Sequence, residues 1–183
     1  MEQKKTASKT YAMAGMALMA ALMCILGPMS IPIGLVPITL TNLVIYFAVY
    51  LLGRKNGTIS YLVYMLLGMF GLPVFSGYSG GLAKLAGPTG GYLVGFIFMA
   101  YIAGIIIEKC NYQIVISILG LIFATFIAYL FGTIWFVVQA KCTFAYAVGV
   151  CVAPFLLGDF IKIGIAALIC PLIRSQLTKS GLL

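Results

Sequence analysis

The chain has 183 residues, of which 63% are apolar and only 8% are charged, and its formal net charge is +8. A soluble domain carries roughly 25% charged residues, so this composition excludes an ordinary water-soluble fold and predicts a membrane protein. Histidine is absent, which removes the commonest general base.

Uncharged stretches predict where the chain crosses the membrane. The stretch from residue 10 to 53 is too long for one crossing, which needs about 20 apolar residues, and three prolines at residues 28, 32 and 37 divide it. Three further uncharged stretches follow. We therefore predict six transmembrane helices, together with a loop and short helix at 142–153; the helices lie at 10–27, 40–53, 57–72, 90–107, 113–137 and 154–174.

Basic residues predict the orientation, because cytoplasmic loops carry an excess of lysine and arginine. With the N-terminus inside, eight of the eleven basic residues fall on the cytoplasmic side, and only Lys84 and Lys141 fall outside. The predicted fold class is an all-α membrane protein with six transmembrane helices and cytoplasmic N- and C-termini. Residues 1–9 and 175–183 are predicted as cytoplasmic tails and 10–174 as one transmembrane domain. The positive charge is therefore explained by topology, and nucleic-acid binding is not expected.

Two loops rich in glycine or proline, 28–39 and 73–89, fall on the predicted outer side. Irregular backbone at membrane depth must be buried in protein or line a wet cavity, so the pair indicates the mouth of a pocket. Thr89 is expected to cap the following helix. The alternative is a plain connection, in which Gly91 and Gly95 serve only close helix packing.

Asp159 and Lys162 are the one pair of opposite charges inside a predicted span, and their spacing of three places them on one helix face. Ionisable groups within a membrane usually face the protein interior or a cavity. One interpretation is a self-neutralising pair that orients the helix. The other is a ligand site, in which Lys84 and Lys162 together exceed Asp159 and favour a small anion. The aromatic residues expected around it are Phe75, Tyr78, Tyr92, Phe155 and Trp135, which predict an amphipathic acid as ligand.

Catalytic chemistry has little support. The chain has three acidic residues, and its five cysteines lack metal-ligand spacing; the sequence leaves open whether Cys142 and Cys151 pair. No G-x-x-x-x-G-K-[ST] motif occurs. A small membrane enzyme therefore remains only an alternative, and a channel would require polar residues along several helices.

Four segments, VPITLTN, GLPVFSGYSGG, LAGPTGGYLVGF and PFLLGDFIK, together resemble the BioY family, the biotin-binding S components of energy-coupling factor (ECF) vitamin transporters. The resemblance extends from the first helix to Lys162. It implies a multi-pass protein of a prokaryotic cell membrane that binds biotin outside and delivers it inward, and that is not an enzyme. It also implies partners, namely a membrane scaffold subunit and a pair of ATPases that use ATP, so no cofactor is expected in this chain. An S component for another small vitamin is the nearest alternative.

The resemblance also implies site residues. Asp159 and Lys162 would contact biotin, and the loop around Ser79–Gly81, which includes Gly80, would close over it. Lys162 or Lys84 would hold the carboxylate. The remaining candidates for the ligand are Thr41, Asn42 and Tyr92. In the first helix, Ala17 and Ala21 form an Ala-x-x-x-Ala pattern that resembles the surface facing the scaffold subunit.

Overall fold

The computed structural model describes residues 2–32 and 36–180, with side chains from residue 9 onward. Parts of the predicted tails, residues 1 and 181–183, and residues 33–35 of the first outer loop lie outside the described residues. The described elements, in chain order, are α1 (Glu2–Leu26), β1 (Ser30–Ile31), β2 (Ile38–Thr39), α2 (Thr41–Met69), α3 (Leu82–Ala86), α4 (Gly90–Lys109), α5 (Ile114–Ala140), α6 (Phe144–Cys151) and α7 (Ala153–Lys179).

Four of the described helices are long and apolar enough to cross a membrane: α4, α5, α7 and the Lys9–Leu26 part of α1. The bounds of α4 and α5 lie within three residues of the predicted ones, whereas the other two helices extend further, since α1 begins at Glu2 and α7 ends at Lys179. Hydropathy marks the part of a helix that lipid surrounds, whereas a helix continues into polar sequence as long as its backbone bonds are favourable. Most of both predicted tails is therefore helical.

α2 contains a sharp reversal at Gly53, where φ is 79° and ψ is 173°. Only glycine adopts this conformation readily. The arms at 41–52 and 54–69 lie side by side, because a Cβ added at Gly57 would stand 2.8 Å from Val49 Cα. Glu108 fixes the corner: its carboxylate accepts from Arg54 N at 2.7 Å and pairs with Arg54 Nε at 3.2 Å. The two helices predicted at 40–53 and 57–72 are therefore joined by a one-residue break.

Both predicted outer loops contain short regular structure. In the first, Ser30 pairs with Thr39 and Ile31 with Ile38 in an antiparallel ribbon. The second contains α3, a five-residue helix where the glycine-rich sequence predicts irregular chain. These bonds satisfy backbone groups that would otherwise have no partner near lipid. Thr89 occupies the position before α4, but its side chain makes no capping hydrogen bond.

The core is centred on α2, which carries four buried tyrosines. Each hydroxyl reaches another part of the chain. The Tyr46 hydroxyl bonds that of Thr125 at 2.7 Å, and Tyr50, Tyr61 and Tyr64 donate to the carbonyl oxygens of Tyr112, Leu93 and Val74 at 3.1, 2.7 and 3.0 Å. Apolar packing gives helices in lipid little reason to associate, so these polar bonds add specificity to the bundle.

Candidate ligand-binding site

A pocket opens where the loops at 28–39 and 73–89 meet side chains of α2, α4, α5 and α7. It contains about 620 Å³ of space free of protein atoms, including its open mouth. Its walls are mostly apolar and aromatic, and include Val36, Phe75, Phe96 and Phe155. Among the described residues, no group of His, Cys, Asp and Glu could hold a metal ion. The arrangement is typical of a site for a small, largely apolar organic molecule.

Asp159 and Lys162 face this pocket from α7 and form an ion pair, with Lys162 Nζ 2.8 Å from Asp159 Oδ1. Each side chain is only 8% exposed. A charge pair buried this deeply needs further hydrogen bonds to offset its lost hydration. The neighbouring residues supply them.

Lys162 has an acceptor for each of its three N–H groups. Besides Asp159, its ammonium donates to Thr39 O at 2.7 Å and to Asn42 Oδ1 at 3.0 Å. Asp159 in turn accepts from Asn42 Nδ2 at 2.8 Å and from the Tyr129 hydroxyl at 2.5 Å. We call Asn42, Tyr129, Asp159 and Lys162 the polar network. It is electrically neutral, and Lys162 has no N–H left to offer an anion without giving up a present bond.

Lys84 has a different environment. It lies in α3, lines the same pocket and is half-buried. Its ammonium donates to one neutral acceptor, Ser76 O, at 3.3 Å. Within the described part of the chain, no carboxylate lies within ion-pair distance of it. Burial lowers the pKa of Lys84 from its ordinary value of 10.5, because desolvation penalises the charged form. Of the two predicted carboxylate partners, only Lys84 therefore has unbalanced charge.

Six of the eight predicted ligand residues line the pocket: Thr41, Asn42, Lys84, Tyr92, Asp159 and Lys162. Ser79 and Gly80 do not. An isolated β-bridge between Phe75 and Ser79 bends the loop, and Ser79 Oγ turns back to donate to Ser76 O at 2.8 Å. At Gly80 an added Cβ would stand 2.3 Å from Leu72 O. Ser79 and Gly80 therefore shape the loop, and it is Ser76 of the same loop that lines the pocket wall.

Two of the five predicted aromatic residues are also absent from the wall. Tyr78 is 69% exposed, and Trp135 lies outside the pocket and donates from its indole to Gly87 O at 2.9 Å. Tyr92 is on the wall, where its hydroxyl donates to Cys151 O. Cys151 and Cys142 are both free thiols.

The sequence reasoning missed Tyr129, which donates directly to Asp159. A signal was present, because Thr125, Tyr129 and Thr133 recur at a spacing of four and so share one face of α5. All three are buried. Ser76 and Thr39 had no such signal, since both act through backbone carbonyls, which every residue type provides.

Comparisons with known proteins agree with this architecture. The model of the BioY family matches residues 1–179. A probable biotin transporter BioY of Pyrococcus horikoshii is 38% identical over 153 residues, which cover 84% of this chain and 90% of that protein. The biotin transporter BioY of Thermotoga maritima is 39% identical over 145 residues, covering 76% and 82% of the two chains.

A solved structure is similar as well. The crystal structure of the S-component for biotin from an ECF-type ABC transporter superposes with a TM-score of 0.84 at 32% identity, over 96% of this chain and 94% of that one. Family, relatives and fold agree with the resemblance carried by the motifs. The chain therefore belongs to the BioY family of membrane transport proteins.

Proposed function

We propose that this protein is the biotin-binding membrane subunit of an ECF-type vitamin transporter. The relatives named as biotin transporters and the S-component for biotin support transport rather than catalysis. The observation that carries the proposal is the pairing, in one apolar pocket, of a neutral polar network with the unbalanced charge of Lys84. Biotin likewise has a neutral polar group at one end, its ureido group, and a charged group at the other, its carboxylate.

The carboxylate of biotin is assigned to Lys84, because an anion there would supply the missing opposite charge. The ureido group both donates and accepts hydrogen bonds, and the polar network together with Thr41 offers both kinds of partner. Lys162 holds Asp159 in place, and Tyr92 forms part of the wall. Ser79 and Gly80 act indirectly, by setting the position of Ser76.

The chain is proposed to cross a prokaryotic cell membrane six times, with both termini in the cytoplasm. Four crossings are α1, α4, α5 and α7, and the two arms of α2 are the others. The first arm, 41–52, is about 18 Å long at 1.5 Å per residue, less than the roughly 30 Å hydrocarbon core. The chain before it supports this placement, because Val36, Pro37 and Thr39 line the pocket. Non-helical backbone is tolerated at membrane depth where it lines a cavity.

Partner subunits would supply the energy for transport, so the chain needs a surface that contacts them. In α1, Ala17 and Ala21 are exposed, whereas Met19, Ala20 and Met23 are buried against the bundle. A surface of small residues permits close approach of another helix in lipid, so this face is assigned to the membrane scaffold subunit. ATP would be used by the associated ATPases, and no cofactor is assigned to this chain.

Calorimetric titration of the purified protein tests the proposal. Biotin is expected to bind, and its uncharged amide to bind at least about tenfold more weakly, which corresponds to loss of about 1.4 kcal/mol. Thiamin and riboflavin, which lack the carboxylate, are the controls. Binding of either control in place of biotin would assign the pocket to another vitamin.

A further inference from the structure

A second cavity lies at the end of the bundle opposite the ligand pocket. It is a shallow groove with about 690 Å³ of open space, between the C-terminal part of α7 and the turn that joins α4 to α5. Its lining includes Tyr50, Tyr112, Pro171, Arg174, Ser175 and Lys179. We call it the basal groove. Its floor is aromatic and aliphatic, and its two charged side chains, Arg174 and Lys179, are both cations.

Arg174 is held rigidly at this groove. Its guanidinium carbon lies 3.5 Å from the centroid of the Tyr112 ring. Its Nη1 donates to Tyr50 O at 3.2 Å and to Leu51 O at 3.3 Å, two carbonyls at the end of the first arm of α2. Within the described chain these bonds use Nη1 alone, so the N–H groups of Nε and Nη2 remain for another acceptor.

No carboxylate in the described part of the chain pairs with the charge of Arg174. Its contacts are two neutral carbonyls and a ring face. The described residues contain two ion pairs, Arg54–Glu108 and Asp159–Lys162, and neither includes it. A half-buried cation at a membrane surface without a counter-charge is an unfavourable arrangement that an anion would relieve.

We propose that the basal groove binds the phosphate of an anionic phospholipid. Planar guanidinium groups recognise phosphate through paired hydrogen bonds, and basic pockets between helices on the cytoplasmic side of membranes suit anionic lipid headgroups. Lys179 stands at the rim to assist Arg174, and Pro171 with the tyrosine rings offers the apolar contact that a soluble phosphate would not need. The inference rests on the membrane orientation proposed above and is independent of which vitamin occupies the other pocket.

Native mass spectrometry of the full chain, released from nanodiscs of equal parts phosphatidylglycerol and phosphatidylcholine, tests this. The wild type should retain phosphatidylglycerol over phosphatidylcholine by on the order of tenfold, as expected from one additional charge-assisted contact. Arg174→Gln should abolish the preference. Because that change also removes two helix-capping bonds, Ser175→Asp provides a second variant: the residue is exposed, and a carboxylate there would repel phosphate.

Matched controls keep charge effects apart from site effects. Ser175→Asn has nearly the shape of Ser175→Asp without its charge, and Lys55→Gln removes an exposed cation that does not line the groove; both should keep the wild-type preference. Biotin titration of each sample reports the other pocket separately. Equal retention of the two lipids, or the same loss in all variants, would overturn the proposal.

Two further outcomes would assign the groove to a partner other than a lipid. If millimolar inorganic phosphate binds in an Arg174-dependent manner while neither lipid is preferred, the groove is a soluble-phosphate site. If Ser175→Asp retains the lipid preference yet no longer assembles with the scaffold subunit, an acidic protein partner covers Arg174 instead.

Discussion

At the scale of single residues, Lys84 and Lys162 differ in how completely the surrounding groups compensate the positive charge of each side chain. Lys162 pairs with a carboxylate and two further oxygens, whereas Lys84 has one neutral carbonyl. The difference separates two roles that sequence alone assigns to either lysine. Lys162 maintains the shape of the site, and Lys84 is the residue proposed to select an acid.

Replacing Lys84 tests that selection. Lys84→Met should bind biotin and biotin amide about equally, because the methionine keeps the length of the side chain and loses the charge. Lys141→Met is the control, since Lys141 is an exposed cation that does not line the pocket. Calorimetry with both ligands gives the ratio. A variant that still prefers the acid would place the carboxylate elsewhere.

The lowered pKa of Lys84 gives a pH dependence. The protonated amine binds the ionised carboxylate, so from neutral pH upward affinity for biotin should be constant below the pKa of Lys84 in the empty site and fall as pH rises through it. Burial lowers that pKa, so the decline should begin below the ordinary value of 10.5. Affinity for biotin amide should not follow this curve. Titrations of both ligands at increasing alkaline pH provide the measurement, and parallel curves would contradict the assignment.

The polar network predicts coupling between its charges. Lys162→Met or Asp159→Asn should weaken biotin binding by at least about thirty-fold, because removing one partner of a buried charge pair costs roughly 2–5 kcal/mol. Thermal stability should fall in each single variant. In the double variant no charge remains uncompensated, so stability should recover in part while affinity does not. Additive losses of stability would show that the pair acts as two independent residues.

At the scale of elements, α2 shows most clearly what sequence can predict. Charge-free stretches locate its two arms, because Arg54 and Lys55 interrupt an otherwise apolar segment. They do not reveal that the break is a single residue, since Glu108, which contacts this corner through Arg54, is distant in sequence. In the same way, Asp159 and Lys162 stand out as charges in an apolar helix, whereas the contribution of Ser76 arises only when the loop folds back on itself.

Gly53→Ala tests the reversal. Backbone of this kind costs a non-glycine residue of order 1–3 kcal/mol, and the new Cβ would stand 2.6 Å from Glu108 Oε1. The melting temperature should therefore fall clearly. The control is Gly164→Ala in α7, where an added Cβ meets nothing within 4 Å. Equal melting temperatures for the two variants would mean that the corner tolerates a side chain.

At the scale of the whole molecule, the exposed face of α1 predicts a separation of assembly from binding. Ala17→Trp should fold and bind biotin normally but fail to co-purify with the scaffold subunit, because a bulky ring prevents close helix approach. Leu168→Trp is the matched control, as Leu168 is 74% exposed and lies on another helix, α7. Loss of biotin binding in Ala17→Trp would show instead that this face belongs to the bundle.

The polar network has a consequence for the electrical behaviour of the proposed transport cycle. Asp159 and Lys162 cancel, so the empty pocket carries a single net positive charge, on Lys84, and a pocket holding the biotin carboxylate carries none. A carrier returns empty after each delivery. If the pocket moves through the membrane potential, delivery is electrically silent and the return moves one elementary charge, which amounts to about 2.3 kcal/mol per 100 mV. An inside-negative voltage would then oppose resetting of the carrier and leave loading and inward movement of biotin unaffected.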